Sequence, residues 1–592
     1  MEQSCIKGQI MVIDELYQEL SSLCGINEND DLNIANLVGN ILGDFTKDKR
    51  NPAIWCMGEH TRRLTADYVF YLKNVRYIID RNADINSDGY KIIRPSAIKA
   101  KDIDGIIISS YVCRNEIKDQ IQREYPEVEY LDIYDELERN GICLDTEYYM
   151  VSHPYSLYGQ INEINSSLDK SNQNYYNELK QLLILYIRIK DFRLAKEIAE
   201  EICGLKKSSE NDRIAELVSN IYAEELRLSS SIDENNVLML LCDGVRYEDV
   251  INGMPDVAEW MRKYTLSFSN TYSVSVGTFE SLIPAFSEDY DIDSEFYKNS
   301  LVPSKNCRFI QEALSEHRSI YFYTDAEKYI DEPAIHNNGK WQTLTQKIWD
   351  FIHDSYEEDN GLYYLHELYE SHFSFPNPYT KKQLVINGRT IFYDYMTDGG
   401  LKTDYVMQQN YAFRYINDTL KPFLDRWDFR ILFLADHGHQ IYPYGMPEKQ
   451  IPYNDFSFAD RLLRIPFAIK SPDLPVGIDD RLYSQHELNN ILVALEKGEQ
   501  YQPARYNYVK SQRTAIYNPL WRGLCKRLGY EQELKAFERF TFDDGTILVI
   551  YGDGEMRCFG NNIEEKEMQE YLNLIHNDIT VCDINKIRII NE

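Results

Sequence analysis

The sequence has a marked deficit of positive charge. Its 592 residues include 63 Lys and Arg against 95 Asp and Glu, which gives a formal net charge of −32. Such a surface repels phosphate backbones and anionic lipid headgroups over long range. We therefore expect no nucleic-acid partner. A divalent cation at a local site would outweigh this distant field, so one phosphate group remains an acceptable ligand.

Long apolar runs and paired cysteines are also missing. No stretch of about 18 apolar residues occurs, so we expect no membrane insertion. The first thirty residues lack the cationic and apolar regions of an export signal, which predicts a cytoplasmic location. The eleven cysteines lie apart, with no C-x-x-C pair. This pattern is typical of reduced core thiols and not of a disulfide framework or a zinc knuckle.

Hydrophobic periodicity divides the chain into three predicted domains. In residues 1–148, short apolar runs alternate with helical stretches, which predicts an α/β domain with a parallel sheet. Residues 149–230 form a helical linker domain, in which the periodicity continues through 175–202, turns at 205–212 and resumes to 228. Residues 231–592 begin a second α/β pattern, with a small sheet from about residue 500.

Acidic residues follow two apolar runs of the third domain. Asp243 comes after VLMLLC (237–242), and Asp436 and His437 come after ILFLA (431–435). In open α/β sheets, ligand sites gather at the carboxyl ends of the strands. Two carboxylates and an imidazole form an oxygen and nitrogen ligand set for a divalent cation. The alternative is that each residue caps a neighbouring helix, or that His437 satisfies a backbone carbonyl.

Thr278 lies between these two strands, in the segment TYSVSVGTFESLIPAFS (271–287). The segment predicts a strand, a tight turn and a helix start, where backbone amides face an anion. A threonine hydroxyl is a weak nucleophile unless a metal or a base removes its proton. A cation held by Asp243, Asp436 and His437 would supply that activation. The alternative is an N-cap threonine.

Three motifs, VLMLLCDG, SVGTFESLIPAF and FLADHGH, resemble in this order the alkaline phosphatase superfamily. They are most similar to its sulfatase-like hydrolases and transferases, which include phosphoethanolamine transferases and lipoteichoic acid synthases. The resemblance covers roughly residues 235–500 and implies a mixed sheet flanked by helices. It further implies that Asp243, Thr278, Asp436 and His437 bind zinc or manganese, with magnesium as a third choice, and that Thr278 is transiently phosphorylated.

The sequence also departs from this pattern. Thr278 is followed by Phe-Glu-Ser, whereas sulfatases need Cys or Ser in a C/S-x-P-S-R context, so sulfate-ester hydrolysis is disfavoured. Two-zinc relatives carry Asp-x-x-x-His, but Leu368 takes the place of the acid before His372. The segment LHELYESHFSFP (365–376) instead resembles the phosphoethanolamine transferases. That resemblance implies that His366 and His372 contact phosphate or protonate a leaving group, with a structural role as the alternative for His366.

The N-terminal segment IWCMGEHTRRL (54–64) takes the position of a G-x-G-x-x-G motif, with one of the three glycines, Gly58, present. Asp80 ends the next strand, where such folds often place a ribose-binding acid. The segment resembles Rossmann-like modules found beside sugar-modifying enzymes in bacterial polysaccharide loci. That resemblance implies a nucleotide or sugar nucleotide bound at Gly58 and Asp80. The alternative is a structural or partner-docking sheet.

Together these patterns predict a metal-dependent phosphoryl-transfer enzyme, either a hydrolase or a transferase. Its expected substrate is a soluble phosphorylated small molecule or a glycan precursor. The alternatives are a non-catalytic scaffold with a degenerate phosphatase fold, a sulfatase-type hydrolase, and a nucleotide sensor. The sequence is also compatible with a homo-oligomer.

Overall fold

A computed structural model describes most of the chain. The described residues are 2–26, 30–58, 60–61, 64–65, 68, 71–82, 90–140, 155–287, 302–324, 329–337, 342–367, 370–372, 375–380, 399–439, 459–514, 535–559 and 565–589.

The N-terminal α/β pattern folds into a five-stranded parallel sheet with the order β3-β2-β1-β4-β5. Alternate residues of its strands, such as Ile107 and Ile108, pack into separate clusters on the two faces. Burial on both faces explains why these strands are almost wholly apolar. The strands are β1 (Pro52–Trp55), β2 (Tyr77–Ile79), β3 (Lys91–Ile93), β4 (Gly105–Ile108) and β5 (Tyr130–Asp132).

Eight helices of the described residues precede the second sheet. They are α1 (Glu2–Cys24), α2 (Asp30–Thr46), α3 (Arg114–Glu124), α4 (Ile133–Arg139), α5 (Tyr155–Ser167), α6 (Tyr175–Arg188), α7 (Phe192–Leu205) and α8 (Ser209–Ser229). The continuous periodicity predicted over 175–202 is interrupted, because Lys190 has a φ of +60°. The Asp191 side chain then caps α7 by accepting from the Leu194 N–H at 2.9 Å.

The second sheet has nine strands among the described residues. Its order is β11-β9-β12-β6-β13-β15-β7-β14, and β16 also pairs with β7. The strands from β11 to β13 are parallel, whereas β15 is antiparallel to both β13 and β7. The strands are β6 (Val237–Cys242), β7 (Leu266–Tyr272), β9 (Ser319–Tyr323), β11 (Ile335–Asn337), β12 (Gly361–Glu367), β13 (Arg430–Ala435), β14 (Arg464–Ile465), β15 (Phe467–Lys470) and β16 (Gly477–Ser484).

Helices and two short strands accompany this sheet. The strands β8 (Val302–Pro303) and β10 (Ile330–Asp331) pair with each other. The helices are α9 (Tyr247–Gly253), α10 (Pro255–Tyr264), α11 (Thr278–Phe286), α12 (Arg308–Ser315), α13 (Leu344–Glu357), α14 (Gly399–Leu424), α15 (Asp460–Leu463) and α16 (Leu488–Lys497). The predicted α/β class, with a mixed sheet flanked by helices, is confirmed.

The C-terminal residues form a third sheet and a helix. The sheet order is β17-β18-β19-β20-β21. The elements are β17 (Tyr508–Arg513), β18 (Phe537–Phe542), β19 (Ile547–Tyr551), β20 (Glu555–Phe559), α17 (Glu565–Ile575) and β21 (Arg588–Ile589).

The chain divides into two compact units. One contains residues 1–15, 220–377 and 406–592, and the other contains residues 16–219 and 378–405. The division into three domains inferred from the sequence stays a prediction. Within the part of the chain that the structure describes, no helix is both long and apolar enough to cross a bilayer.

Candidate functional site

The two predicted acidic strand ends lie side by side. Strands β6 and β13 are parallel neighbours, and Cys242 pairs with Ala435. The next residues, Asp243 and Asp436, therefore emerge together at the carboxyl edge of the sheet. The Gly244 N–H donates to Asp436 Oδ1 at 2.8 Å, and the His437 N–H donates to the same oxygen at 2.8 Å.

Asp243, Asp436 and His437 form a group whose ligand atoms all lie within 4.8 Å of one another. Both carboxylates are fully buried. Asp243 Oδ1 and Asp436 Oδ2 have no hydrogen-bond partner. Buried carboxylate oxygens are costly unless they are paired or coordinate a metal. These orphaned oxygens therefore fit a divalent cation.

The pKa values of the two carboxyls are shifted in opposite directions. Burial raises the pKa of Asp436, and the charge of Asp243 raises it further. Burial also acts against ionised Asp243, but the neighbouring imidazoles of His366, His372 and His437 outweigh it and hold the Asp243 pKa below its usual range. The repulsion between these carboxylates is the interaction that a bound cation would relieve.

The His437 ring has a defined hydrogen-bonding direction. Its Nδ1 lies 2.8 Å from the Gly438 carbonyl oxygen, which only accepts, so Nδ1 carries the proton. In the neutral ring, Nε2 then presents its lone pair toward Asp436 Oδ2 at 3.3 Å. Burial lowers the pKa of His437, but Asp436 and Asp243 outweigh it and raise the pKa. A backbone acceptor on one ring nitrogen is the usual support of a metal-binding histidine.

Thr278 joins this group from helix α11. Its hydroxyl donates to Asp243 Oδ2 at 3.1 Å and lies 3.4 Å from His437 Nε2. Thr278 is the first residue of the helix, and the preceding Gly277 gives no side-chain cap. First-turn amides have no partner within a helix, so those of α11 are suited to an anion beside the hydroxyl.

The structure places His366 and His372 differently. His366 is fully buried on β12, with Nε2 at 3.4 Å from Asp243 Oδ2. Its Nδ1 lies 3.3 Å from the Tyr329 hydroxyl and 3.1 Å from the Tyr364 hydroxyl. His372 is half-buried and near enough to Asp243 for its charge to lower that pKa. His366 thus contacts a ligand residue, whereas His372 is more accessible.

A buried network supports Asp243 from behind. Ser371 Oγ lies 2.6 Å from the Asp243 carbonyl oxygen and 2.5 Å from Glu367 Oε2. The Ser371 hydroxyl proton therefore faces two acceptors, the Asp243 carbonyl and the Glu367 carboxyl. Burial and then the neighbouring Glu370 raise the pKa of Glu367 well above its ordinary value, which agrees with a protonated carboxyl. The sequence analysis missed this network, because a serine and a glutamate at this spacing carry no distinctive signal.

The sequence analysis also missed Gln485. Its side chain is fully buried beside the site and directly precedes His486 in the chain. Burial lowers the pKa of His486 to about 4.

The N-terminal candidates belong to the other sheet. Asp80 accepts the N–H groups of Met57 and Asn82, at 2.7 and 2.8 Å. It therefore closes the turn after β1. Gly58 follows that turn, and a Cβ there would meet nothing within 4 Å. The predicted nucleotide role of Gly58 and Asp80 stays a prediction.

Known protein families match one part of the chain. Residues 48–128 match the family model described as C2185-like, N-terminal. A search among curated proteins finds no match.

Solved structures resemble a larger part. A phosphonate monoester hydrolase from Silicibacter pomeroyi is 12% identical, with a TM-score of 0.40 over 58% of this chain and 96% of that one. A 2-O GAG sulfatase is 11% identical, with a TM-score of 0.39 over 58% and 91%. The C-terminal periplasmic domain of EptC from Escherichia coli is 14% identical, with a TM-score of 0.33 over 45% and 83%. Values this low transfer no activity, substrate or location to this chain.

Proposed function

We propose that this protein is a metal-dependent phosphoryl-transfer enzyme of the sulfatase-like type, with Thr278 as its nucleophile. The observation that carries the proposal is the placement of the Thr278 hydroxyl, 3.1 Å from Asp243 Oδ2, in a buried cluster with two orphaned carboxylate oxygens. A non-catalytic scaffold with a degenerate phosphatase fold has no physical reason to retain buried like charges that destabilise it.

Asp243, Asp436, His437 and the Thr278 hydroxyl would hold the cation, which we expect to be zinc or manganese. When bound, it would polarise the phosphoester and lower the pKa of the hydroxyl. The Thr278 oxygen would release its proton to solvent and attack phosphorus, so that a Thr–O–P bond forms and the bond to the leaving alcohol breaks. First-turn amides of α11 would face the phosphoryl oxygens, and His372 would protonate the leaving oxygen.

Water or an acceptor hydroxyl then attacks the phosphothreonine and restores the threonine. A soluble phosphorylated small molecule or a glycan precursor is the proposed substrate. Sulfate-ester hydrolysis is a poorer fit, because Thr278 lacks the Cys or Ser from which sulfatases make their nucleophile. We also propose a cytoplasmic location, which cell fractionation tests, and a homo-oligomeric state, which analytical ultracentrifugation tests.

Thr278→Ala tests the proposal. Zinc- or manganese-loaded wild-type protein should hydrolyse p-nitrophenyl phosphate or its diester, and the variant should lose at least about 10³-fold in kcat because the nucleophile is gone. Thr278→Ser, which keeps a hydroxyl, should retain measurable turnover. An acid quench of the wild type should trap phosphate on the peptide containing Thr278. Equal turnover by wild type and Thr278→Ala, or no bound metal, would favour the scaffold.

A further inference from the structure

The two halves of the candidate site lie on strands that are not immediate neighbours in the sheet. Asp436 and His437 follow β13, and Thr278 follows the turn after β7. Strand β15 lies between β13 and β7. Strands β13 and β7 are therefore two strand spacings apart, which is roughly 10 Å. Backbone pairing of β6 with β13 aligns Asp243 with Asp436.

The turn after β7 reaches the same edge through the backbone of residues 462–463. The Leu463 carbonyl accepts the Ser273 N–H at 2.7 Å, and the Leu462 carbonyl accepts the Gly438 N–H at 2.8 Å. A side-chain connection between the turn and the end of β13 adds to this backbone link.

The Gln485 side chain makes that connection. Its Oε1 accepts the Val274 N–H at 3.0 Å, in the turn that leads to Thr278. Its Nε2 donates to the Ala435 and Asp436 carbonyl oxygens, both at 3.1 Å. One buried amide thus spans the turn and the end of β13. Its Oε1 accepts and its Nε2 donates, so the contacts use both ends of the amide.

The opposite side of the same turn is held by the C-terminal sheet. The Gln512 N–H of β17 donates to the Val274 carbonyl at 2.8 Å, and Ser511 Oγ donates to the Ser273 carbonyl at 2.6 Å. Both backbone polar groups of Val274 are therefore bonded to distant parts of the chain. The turn is therefore hydrogen-bonded to Gln485 on one side and to β17 on the other.

We propose that Gln485 is a positioning residue. Its hydrogen bonds to the Val274 turn hold the Thr278 hydroxyl beside Asp243, Asp436 and His437, and β17 holds the other side of the same turn. This inference rests on the proposed phosphoryl transfer. Only an amide of this length supplies both the acceptor and the two donors. Glutamate keeps the acceptor but loses the paired donors, and leucine leaves all three backbone groups unsatisfied.

Metal binding should survive the loss of Gln485. The Asp436 carboxylate is held independently by the Gly244 and His437 N–H groups. The β6–β13 pairing holds Asp243 beside it. The Thr278 oxygen is the group whose position depends on the Val274 turn, so the chemical step should suffer more than metal or substrate binding.

Gln485→Leu and Gln485→Glu test the proposal, with Gln346→Leu as the matched control. Gln346 accepts the Thr343 N–H at 2.9 Å in the cap of α13. Its replacement should lower the thermal stability without affecting the turn. Both Gln485 variants should lose about 10²-fold in kcat, the cost of a misplacement of about 1 Å. Their metal content by mass spectrometry and their KM should stay within about twofold of wild type.

The rate of phosphothreonine formation in a single turnover should fall together with kcat, while Gln346→Leu keeps wild-type kinetics. Two results would overturn the proposal. One is a Gln485→Leu kcat within about threefold of wild type. The other is a loss of bound metal in parallel with kcat, which would make Gln485 a support of the fold. Failure of the phosphoryl-transfer function itself is recognised separately, because wild type and Thr278→Ala would then be equally inactive.

Discussion

At the scale of single residues, Gly244 shows how the site constrains the backbone. Its φ is +63°, in the left-handed region that favours glycine. A Cβ at this position would lie 2.8 Å from His439 Nε2, and that nitrogen already bonds to the Ser371 carbonyl at 2.8 Å. Burial lowers the pKa of His439 to about 3, so the ring is neutral and donates this bond.

Gly244→Ala should therefore displace the His439 ring and strain the turn that carries Asp243. We expect a loss of about 2–3 kcal/mol of stability from strain and overpacking, together with weaker metal binding. Thermal unfolding and metal titration would measure both effects. Gly477→Ala is the control, because a Cβ there meets nothing within 4 Å. Equal thermal stability of the two variants would contradict this account.

At the scale of elements, side chains join helix α13 to strand β9. The Tyr323 hydroxyl donates to Asp354 Oδ2 at 2.8 Å. Burial raises the pKa of Asp354 to about 6, and the nearby charge of Asp350 adds to the increase. The folded protein thus holds this proton more tightly than the unfolded chain does.

The stabilisation from protonated Asp354 should be complete below about pH 4, the ordinary carboxyl range, and should disappear as the pH rises through 6. Asp354→Asn, which mimics the neutral acid, should match wild type at pH 4 and exceed its stability at pH 8 by about 1–3 kcal/mol. Thermal melts at both pH values would show this, with exposed Asp359→Asn as the control. A variant less stable than wild type at pH 8 would be the contrary result.

At the scale of the whole molecule, the proposed function and the stability of the fold would oppose each other at the candidate cation site. All four proposed ligand residues belong to one of the two compact units. Without a cation, that unit carries two fully buried carboxyls whose charges repel. A bound cation should stabilise the folded state by about 2.7 kcal/mol at a hundred times its Kd.

Asp436→Asn should separate the destabilisation by buried charge from the stabilisation by a bound cation. The metal-free variant should melt at a higher temperature than metal-free wild type, because one buried negative charge is gone. Adding zinc or manganese should raise the melting temperature of wild type and leave that of the variant nearly unchanged, and a chelator should reverse the wild-type shift. Scanning calorimetry measures both the metal-free melting temperatures and the shifts that the metal causes. A metal-induced shift of equal size in the variant would exclude Asp436 as a ligand.

The sequence by itself determined the α/β class and the strand ends at which Asp243, Asp436 and His437 emerge. Local hydrophobic runs predict where strands lie, and a charged residue after such a run must emerge at the sheet edge or find a strong partner. The position of Thr278 at a helix start could be predicted because its turn and helix start are also local.

Only the tertiary structure decided which groups hold those residues in place. Gln485, Ser371 and Glu367 act across long sequence separations, and no local periodicity marks a buried amide or a protonated acid. The break at Lys190 was likewise hidden, because apolar spacing on either side reads as one helix. Long-range hydrogen bonds depend on how strands are ordered in space, and strand order is set by the packing of the entire chain.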